Sequence, residues 1–177
     1  MFYIVGLGNP GEEYLNTRHN TGKMAVEFFD KKNELSSKKF KIIESGEFMN
    51  NSGRAVAKVI KSKKAAEKLI VVHDDIDLAL GSIKISYNKG TGGHRGLDSV
   101  VKAVKTKEFV RIRIGVSPTT PSGKIKKPQG EKAVIDFILN KFKPKELDIL
   151  KKTLKKSSEA IQTLIIEGRE KAMNLFN

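Results

Sequence analysis

The chain has 177 residues, which is enough for one domain with a full apolar core. It has no cysteine, no run long enough to span a membrane and no signal-peptide pattern, which excludes disulfides and thiolate metal sites and indicates a cytoplasmic protein without membrane contact. Its 34 basic and 20 acidic residues give a net charge of +14, which favours nucleic acid as a partner, although any single lysine is more simply a solvated residue.

The first predicted element is an apolar strand that ends in a Gly-Asn-Pro-Gly turn at residues 8–11. In open α/β folds, residues just beyond such a strand lie at the sheet edge where ligand sites form. Asn9 and His19 are the residues there best suited to chemistry, and we expect them to face one cleft.

The same turn contains the pattern G-x-G-x-x-G, beginning at Gly6, which in a dinucleotide-binding fold runs directly into a helix. Asp30 has the spacing of the ribose-binding acid in that fold. However, Pro10 lies inside the pattern and the polar run at 16–22 interrupts the helix. A dinucleotide enzyme is therefore the weaker interpretation.

The next segments predict a helix over residues 21–32, a short strand at 40–44 and a second helix after Phe48. Asn50 or Ser52 would be the N-cap of that second helix, and a plain cap is the alternative to a functional role for Asn50.

A continuous apolar run at 69–72 predicts a central strand buried on both faces. It ends in one histidine and a group of carboxylates, which are costly to cluster unless they are used or solvated. A magnesium or calcium site is one interpretation, but the spacing matches no known metal loop. We favour a carboxylate that orients His19, because that histidine has no other predicted partner.

A strand at 83–87 leads into a glycine-rich basic loop that enters a helix. Free backbone N–H groups and the helix dipole would bind an anion there, and a flexible loop without a ligand is an equal alternative. The strand at 110–115 alternates, so that Arg111 and Arg113 share one face and extend a basic track suited to phosphates.

The segment 118–130 is rich in proline, glycine and lysine, and we predict that it is mobile. A helix then restarts near Ala133, and Pro144 opens a long amphipathic helix at a favoured first position. Gly168 is expected to break that helix before the last residues. There is no internal repeat and no domain boundary, so residues 1–177 form one domain.

The motifs together resemble bacterial-type peptidyl-tRNA hydrolase, in order from residue 2 to 177: VGLGNPG-x₂-Y-x₂-TRHN-x-G, FMN-x-SG-x-AV, HDD-x-DL, GTGGH-x-GL-x-SV, RIRIG and KAMNLFN. The resemblance implies a single α/β domain with a twisted, mostly parallel, mixed central sheet wrapped by helices. It also implies a monomer that needs no cofactor, no metal and no obligate protein partner.

The implied activity is cleavage of the ester between a peptide and the 3′-ribose of tRNA, which recycles tRNA from aborted translation. By the resemblance, His19 is the general base that activates water, and Asp74 is its orienting carboxylate. Asn9 and Asn50 hold the peptide carbonyl and the attacking water. The resemblance further assigns Tyr14 to the tRNA 3′ end, Met49 to the peptide channel and Arg113 to a tRNA phosphate, with Asn20 in the same substrate-binding group.

The chain departs from the family pattern at three places. Arg95 stands where the family usually has asparagine, and it would bind phosphate or the peptide carbonyl instead. Ser86 replaces a common basic residue, with Lys84 and Lys89 nearby as substitutes. The segment 33–47 is shorter than usual, so we expect a smaller sheet edge.

The residue chemistry agrees with a hydrolase that forms no covalent intermediate. No G-x-S-x-G motif and no cysteine is present, and a neutral imidazole with a positioned water suffices for an ester near neutral pH. The main rival is a non-enzymatic RNA-binding relative, such as the plant organelle splicing factors of this fold. Such a protein would tolerate loss of His19, Asp74 or Asn9, yet all of them are present.

Overall fold

The structure is a computed structural model that describes residues 1–177. The strands are β1 (Phe2–Gly6), β2 (Phe40–Ile42), β3 (Leu69–Ala79), β4 (Ile83–Tyr87) and β5 (Val110–Ser117). They form one five-stranded sheet in the order β2-β1-β3-β5-β4. Only β4 is antiparallel to its neighbour, so the predicted α/β fold with a mostly parallel, mixed sheet is confirmed.

The helices cover both faces of this sheet. They are α1 (Thr21–Lys32), α2 (Ser52–Val59), α3 (Lys63–Ala66), α4 (Arg95–Val104), α5 (Glu131–Leu139), α6 (Pro144–Ile166) and α7 (Arg169–Phe176). One core lies between the sheet and α1, α6 and α7, and a second lies between the sheet and α2 and α4. Burial of each large aliphatic side chain in these cores contributes about 1.5–3 kcal/mol. None of the helices combines the length and apolarity needed to cross a bilayer.

The central strand β3 is longer than predicted. The apolar residues 69–72 are fully buried, as expected, but the strand continues through the acidic cluster to Ala79. It does so because β5 pairs with it over the same length, with a register shift between Asp75 and Ala79. The acidic residues therefore project from a strand, and only the last part of that strand is partly exposed.

Gly22, in the first turn of α1, allows this helix to begin in direct contact with the backbone of β3. Leu7 donates its backbone N–H to the carbonyl of Val72 at 2.9 Å, and Lys23 in turn donates to the carbonyl of Leu7 at 3.0 Å. A side chain on Gly22 would overlap the Val72 carbonyl. The helix that a dinucleotide fold requires after Gly11 is absent, because α1 starts only at Thr21, so that interpretation is wrong.

Several helix boundaries agree with the sequence, and one predicted cap is wrong. Pro144 occupies the first turn of α6, and Gly168, with φ of 91°, separates α6 from α7. In contrast, neither Asn50 nor Ser52 caps α2. The Ser52 hydroxyl donates to the Met49 carbonyl at 2.8 Å, because a 3₁₀ turn over Met49–Asn51 leads straight into the helix.

Candidate active site

The site lies beyond the end of β1 and along the middle of β3, and its first pair is the predicted one. His19 is held in a 3₁₀ turn, Arg18–Asn20, between β1 and α1. Its Nδ1 lies 3.0 Å and 3.1 Å from the two carboxylate oxygens of Asp74 on β3. Both side chains are buried. Since Nδ1–H donates to the carboxylate, Nε2 of His19 is left as the basic nitrogen.

A second histidine, which the sequence analysis did not assign, binds the same carboxylate. His94 Nε2 lies 3.0 Å from Asp74 Oδ1. The His94 Nδ1 accepts the backbone N–H of Leu97 at 3.3 Å, so its proton is on Nε2 and points to Asp74. The signal in the sequence was a histidine that ends the glycine-rich loop and caps α4.

The third histidine of the chain, His73, binds the backbone of Asp74. His73 Nδ1 donates to the backbone carbonyl of Asp74 at 2.7 Å, and its ring packs edge-on to His94 at 4.9 Å. Burial, with a smaller effect of the neighbouring His94, lowers the pKa of His73 to about 3. His73 is therefore neutral near pH 7, and its buried Nε2 has no hydrogen-bond partner in the protein.

Asp74 is held in its ionised form by its neighbours. Burial alone would raise its pKa, but the facing His19 and His94, through charge and hydrogen bonds, outweigh burial and hold the pKa of Asp74 well below its usual range. A carboxylate that accepts from two imidazole N–H groups can stabilise a positive charge on either ring. This is the arrangement of an orienting acid beside a general base.

The same three side chains are also the only group of titratable ligands close enough together for a metal, with ligand atoms within 4.8 Å of one another. Two histidines and one carboxylate can bind a transition metal. In this site, however, each histidine directs a proton toward Asp74, and a metal would need a lone pair at that position. The donor set fits a hydrogen-bonded cluster better than a metal site.

Asn9 is fixed beside His19 with one amide group free. Its Oδ1 accepts the backbone N–H of Met49 at 2.8 Å, so its Nδ2 remains as a donor facing the cavity. The Asn20 side chain accepts from the backbone N–H of Asn9 at 2.8 Å and donates to its carbonyl at 2.9 Å. Asn20 is buried and does not line the main cavity, and both of its amide atoms bind the Asn9 backbone. It therefore positions Asn9, and its assignment to substrate binding stays a prediction.

A cavity of about 1290 Å³ joins these groups to the other predicted residues. Asn50 is exposed on its wall, and its side chain makes no hydrogen bond. At the rim, Tyr14 meets Phe48 edge to face at 6.2 Å, and Phe48 is 52% exposed. The predicted site residues that line the cavity are Asn9, Tyr14, His19, Met49, Asn50, Asp74, Lys84, Lys89, Arg95 and Arg113.

The arginines of the predicted basic track are mostly occupied. Arg111 is fully buried and donates to the carbonyls of Gly90, at 2.7 Å, and of Lys89. It therefore supports the glycine-rich loop, and its expected role in a phosphate track is wrong. Arg113 does face the cavity, but its Nε donates to Asp75 at 2.7 Å. Arg95 is exposed and pairs with Glu131 at 2.9 Å.

An open α/β sheet that carries a carboxylate-bound histidine and a free amide donor, in a large cavity, defines an enzyme of the hydrolytic class. The family model described as "Peptidyl-tRNA hydrolase" matches residues 3–177, and the chain belongs to this family.

Known members of the family resemble the chain over its whole length. The peptidyl-tRNA hydrolase of Thermodesulfovibrio yellowstonii is 38% identical over 195 aligned positions, which cover 100% of this chain and 99% of the relative. The peptidyl-tRNA hydrolase of Carboxydothermus hydrogenoformans is also 38% identical, and the alignment covers 100% of this chain and 98% of the relative. The crystal structure of the Acinetobacter baumannii enzyme superimposes with a TM-score of 0.82 at 27% identity, over 100% of this chain and 94% of that one.

Proposed function

We propose that the chain hydrolyses the ester between a peptide and the 3′-terminal ribose of tRNA, by attack of a water molecule that His19 activates. The observation that carries this proposal is the buried His19–Asp74 pair and the free Asn9 amide, which line one large cavity. Membership of the peptidyl-tRNA hydrolase family supports the choice of substrate.

The proton path follows from the tautomers. His19 Nε2 removes a proton from water as the water oxygen attacks the ester carbonyl carbon, and Asp74 stabilises the imidazolium through the Nδ1–H bond of 3.0 Å. When the tetrahedral intermediate collapses, the bond to the ribose oxygen breaks and His19 returns the proton to that oxygen. The products are the free peptide carboxylic acid and tRNA with its 3′-terminal hydroxyl restored.

Two amide side chains complete the reaction centre. Asn9 Nδ2 donates to the oxyanion that develops on the peptide carbonyl, since its Oδ1 is already occupied by the Met49 N–H. One such donor contributes on the order of 3 kcal/mol to the transition state. Asn50, exposed and without a hydrogen bond, is free to hold the attacking water.

The remaining cavity residues bind the two ends of the substrate. Tyr14 and Phe48 form an aromatic rim on which the terminal nucleoside stacks, since base stacking needs only an accessible aromatic face. Met49, whose backbone N–H binds Asn9, also lines the cavity and contacts the peptide. The cations Lys84, Lys89, Arg95 and Arg113 face the tRNA backbone along the same cavity.

The substrate is tested with N-acetyl-aminoacyl-tRNA and, as the control, aminoacyl-tRNA with a free amine. We expect cleavage of the blocked ester and little cleavage of the free one, unchanged after treatment with a chelator. Binding of tRNA without cleavage of either ester would favour an RNA-binding protein without activity.

The proposal also covers the setting of the reaction. We propose that the chain works in the cytoplasm as a monomer, without a cofactor or an obligate protein partner, because every group used above comes from one copy. Light scattering across the concentrations used in the assay checks this. A constant monomer mass with full specific activity is expected, and activity that rises with dimer formation would contradict it.

A further inference from the structure

The cavity does not end on one face of the sheet but continues around the edge strand β4. Lys84 on β4 is registered with Arg113 on β5, which is registered with His73 on β3, so these three side chains project to one face. Tyr87 projects to the opposite face, because side chains alternate along a strand. The cavity nevertheless includes Tyr87 together with Arg169 and Met173 of α7. It is therefore a groove that extends from the catalytic centre over the sheet edge to α7.

At the far end of this groove lies a guanidinium group without a counterion. Arg169 is exposed, and its Cζ stands 3.8 Å above the ring centroid of Tyr87. It makes no hydrogen bond and no ion pair, not even with the adjacent Glu170. By contrast, the other arginines that line the cavity are bound to carboxylates or carbonyls: Arg95 to Glu131, Arg111 to the glycine-rich loop and Arg113 to Asp75.

The helix that carries Arg169 is fixed to β4 at both ends. At one end is the Arg169–Tyr87 stack, and at the other the Asn177 side chain accepts the Ile85 N–H at 2.6 Å and donates to the Ile85 carbonyl at 3.0 Å. The guanidinium is thus presented on a rigid support. A stacked guanidinium with its donors free binds a phosphate with two parallel hydrogen bonds and loses little side-chain entropy on doing so.

We infer that Arg169, stacked on Tyr87, binds a backbone phosphate of the tRNA acceptor arm, away from the ester. This inference rests on the proposed function and adds to it a binding residue for the nucleic-acid part of the substrate. The contact acts on binding of the polyanion and not on the chemical step, because the groove separates Arg169 from His19. Arg169 can bind a phosphate without breaking an ion pair, whereas Arg95 and Arg113 are each already paired with a carboxylate.

The test compares two substrates: N-acetyl-aminoacyl-tRNA, and the same ester on a trinucleotide CCA that lacks the acceptor stem. We expect Arg169→Gln to raise KM for the tRNA substrate about 5- to 20-fold with kcat unchanged. Cleavage of the trinucleotide ester stays at the wild-type value. The slope of log affinity against log salt falls by about one unit. Arg169→Lys, which keeps the charge but loses the two parallel N–H donors of the guanidinium, gives an intermediate KM.

Arg54→Gln is the matched control, because Arg54 is also exposed and unpaired but lies on α2 outside the groove. If Arg169→Gln behaves like Arg54→Gln, or weakens cleavage of both substrates equally, the inference is wrong. If the wild type cleaves neither ester, the proposed function is wrong. Affinity of the same variants for deacylated tRNA then decides the Arg169 contact by itself: an equal affinity for wild type and Arg169→Gln overturns it.

Discussion

Asp74 is the residue on which the site depends, because two histidines donate to one of its oxygens. His94→Ala removes one of these donors and leaves His19 in place. We expect kcat to fall about 10- to 100-fold, the usual cost of losing a group that orients a reacting side chain. The measurement is steady-state cleavage of N-acetyl-aminoacyl-tRNA. His94→Gln, whose amide can still donate toward Asp74, should recover part of the loss, and equal kcat values for the two variants would contradict the orienting role.

Asn20 gives a prediction about positioning, since it contacts Asn9 and not the cavity. Asn9→Ala should lower kcat about 10²- to 10³-fold by removing an oxyanion donor. Asn20→Ala should lower kcat less, with KM unchanged. Because both act through the same amide, the double variant should match Asn9→Ala alone. Additive losses in kcat would show that Asn20 acts independently of Asn9.

His73 predicts how stability depends on pH. Its pKa is lowered from 6.5 to about 3 by burial, and the groups that face it are His94, Asp74 and Arg111. The unfolded chain therefore binds a proton that the folded chain excludes, and stability present above pH 6.5 is lost as the pH falls toward 3. Each pH unit in that window costs up to about 1.4 kcal/mol.

The measurement is the free energy of unfolding in urea from pH 7.5 to 4, for wild type and His73→Asn. The asparagine can still donate to the Asp74 carbonyl but does not titrate. We expect His73→Asn to be less stable at pH 7.5, because packing is lost, and to have a shallower decline in acid. Parallel curves for the two proteins would mean that other groups cause the decline.

At the scale of single residues, the sequence predicted which residues meet at the site better than it predicted where each side chain points. The His19–Asp74 pair followed from a polar segment after the first strand and an acidic cluster after the apolar run of the central strand. The contact of Asn20 with the Asn9 backbone was not predicted, because adjacency to His19 does not tell which way a side chain points. His94 was missed because the sequence does not show that the glycine-rich loop folds back against β3. Alternation correctly placed Arg111 on the same strand face as Arg113, but it could not show that Arg111 is buried.

At the scale of elements, the start of α1 against β1 and β3 determines where His19 lies. Gly22→Ala would place a methyl group against the Val72 backbone carbonyl. We expect a loss of about 2–4 kcal/mol in the free energy of unfolding, since two backbones would have to separate. Gly90→Ala is the control, because nothing lies within 4 Å of its added carbon. Equal midpoints of urea unfolding for the two variants would contradict this account of the close contact.

Helices and strands were predicted well where the sequence itself marks their ends or alternates along their length. Pro144 marks the start of α6 and Gly168 its end, and the alternating strands β4 and β5 were found where expected. The length of β3 was not predictable from its own residues, because its partner β5 extends it through the acidic cluster. The cap of α2 was wrong because a 3₁₀ turn satisfies the groups that a cap would have bound.

At the scale of the whole molecule, the shape of the cavity could not be predicted from the sequence. It combines residues of β3, β4 and β5, the glycine-rich loop and the helices α4, α5 and α7. The segment 118–130 borders it through an exposed Lys127–Asp77 pair at 2.5 Å. Exposed pairs are weak and screened by salt, and the mobility of this segment stays a prediction. The net charge of +14 indicated the kind of partner, but not the course of the groove.

The central claim is that His19, oriented by Asp74, activates the water that cleaves the ester. The most direct test is single-turnover cleavage of N-acetyl-aminoacyl-tRNA by wild type, His19→Ala and Asp74→Asn, with tRNA affinity and unfolding midpoint measured for each. We predict that both variants fold and bind tRNA like the wild type but cleave about 10²- to 10⁴-fold more slowly. A folded His19→Ala variant that binds tRNA and cleaves at the wild-type rate would contradict the account.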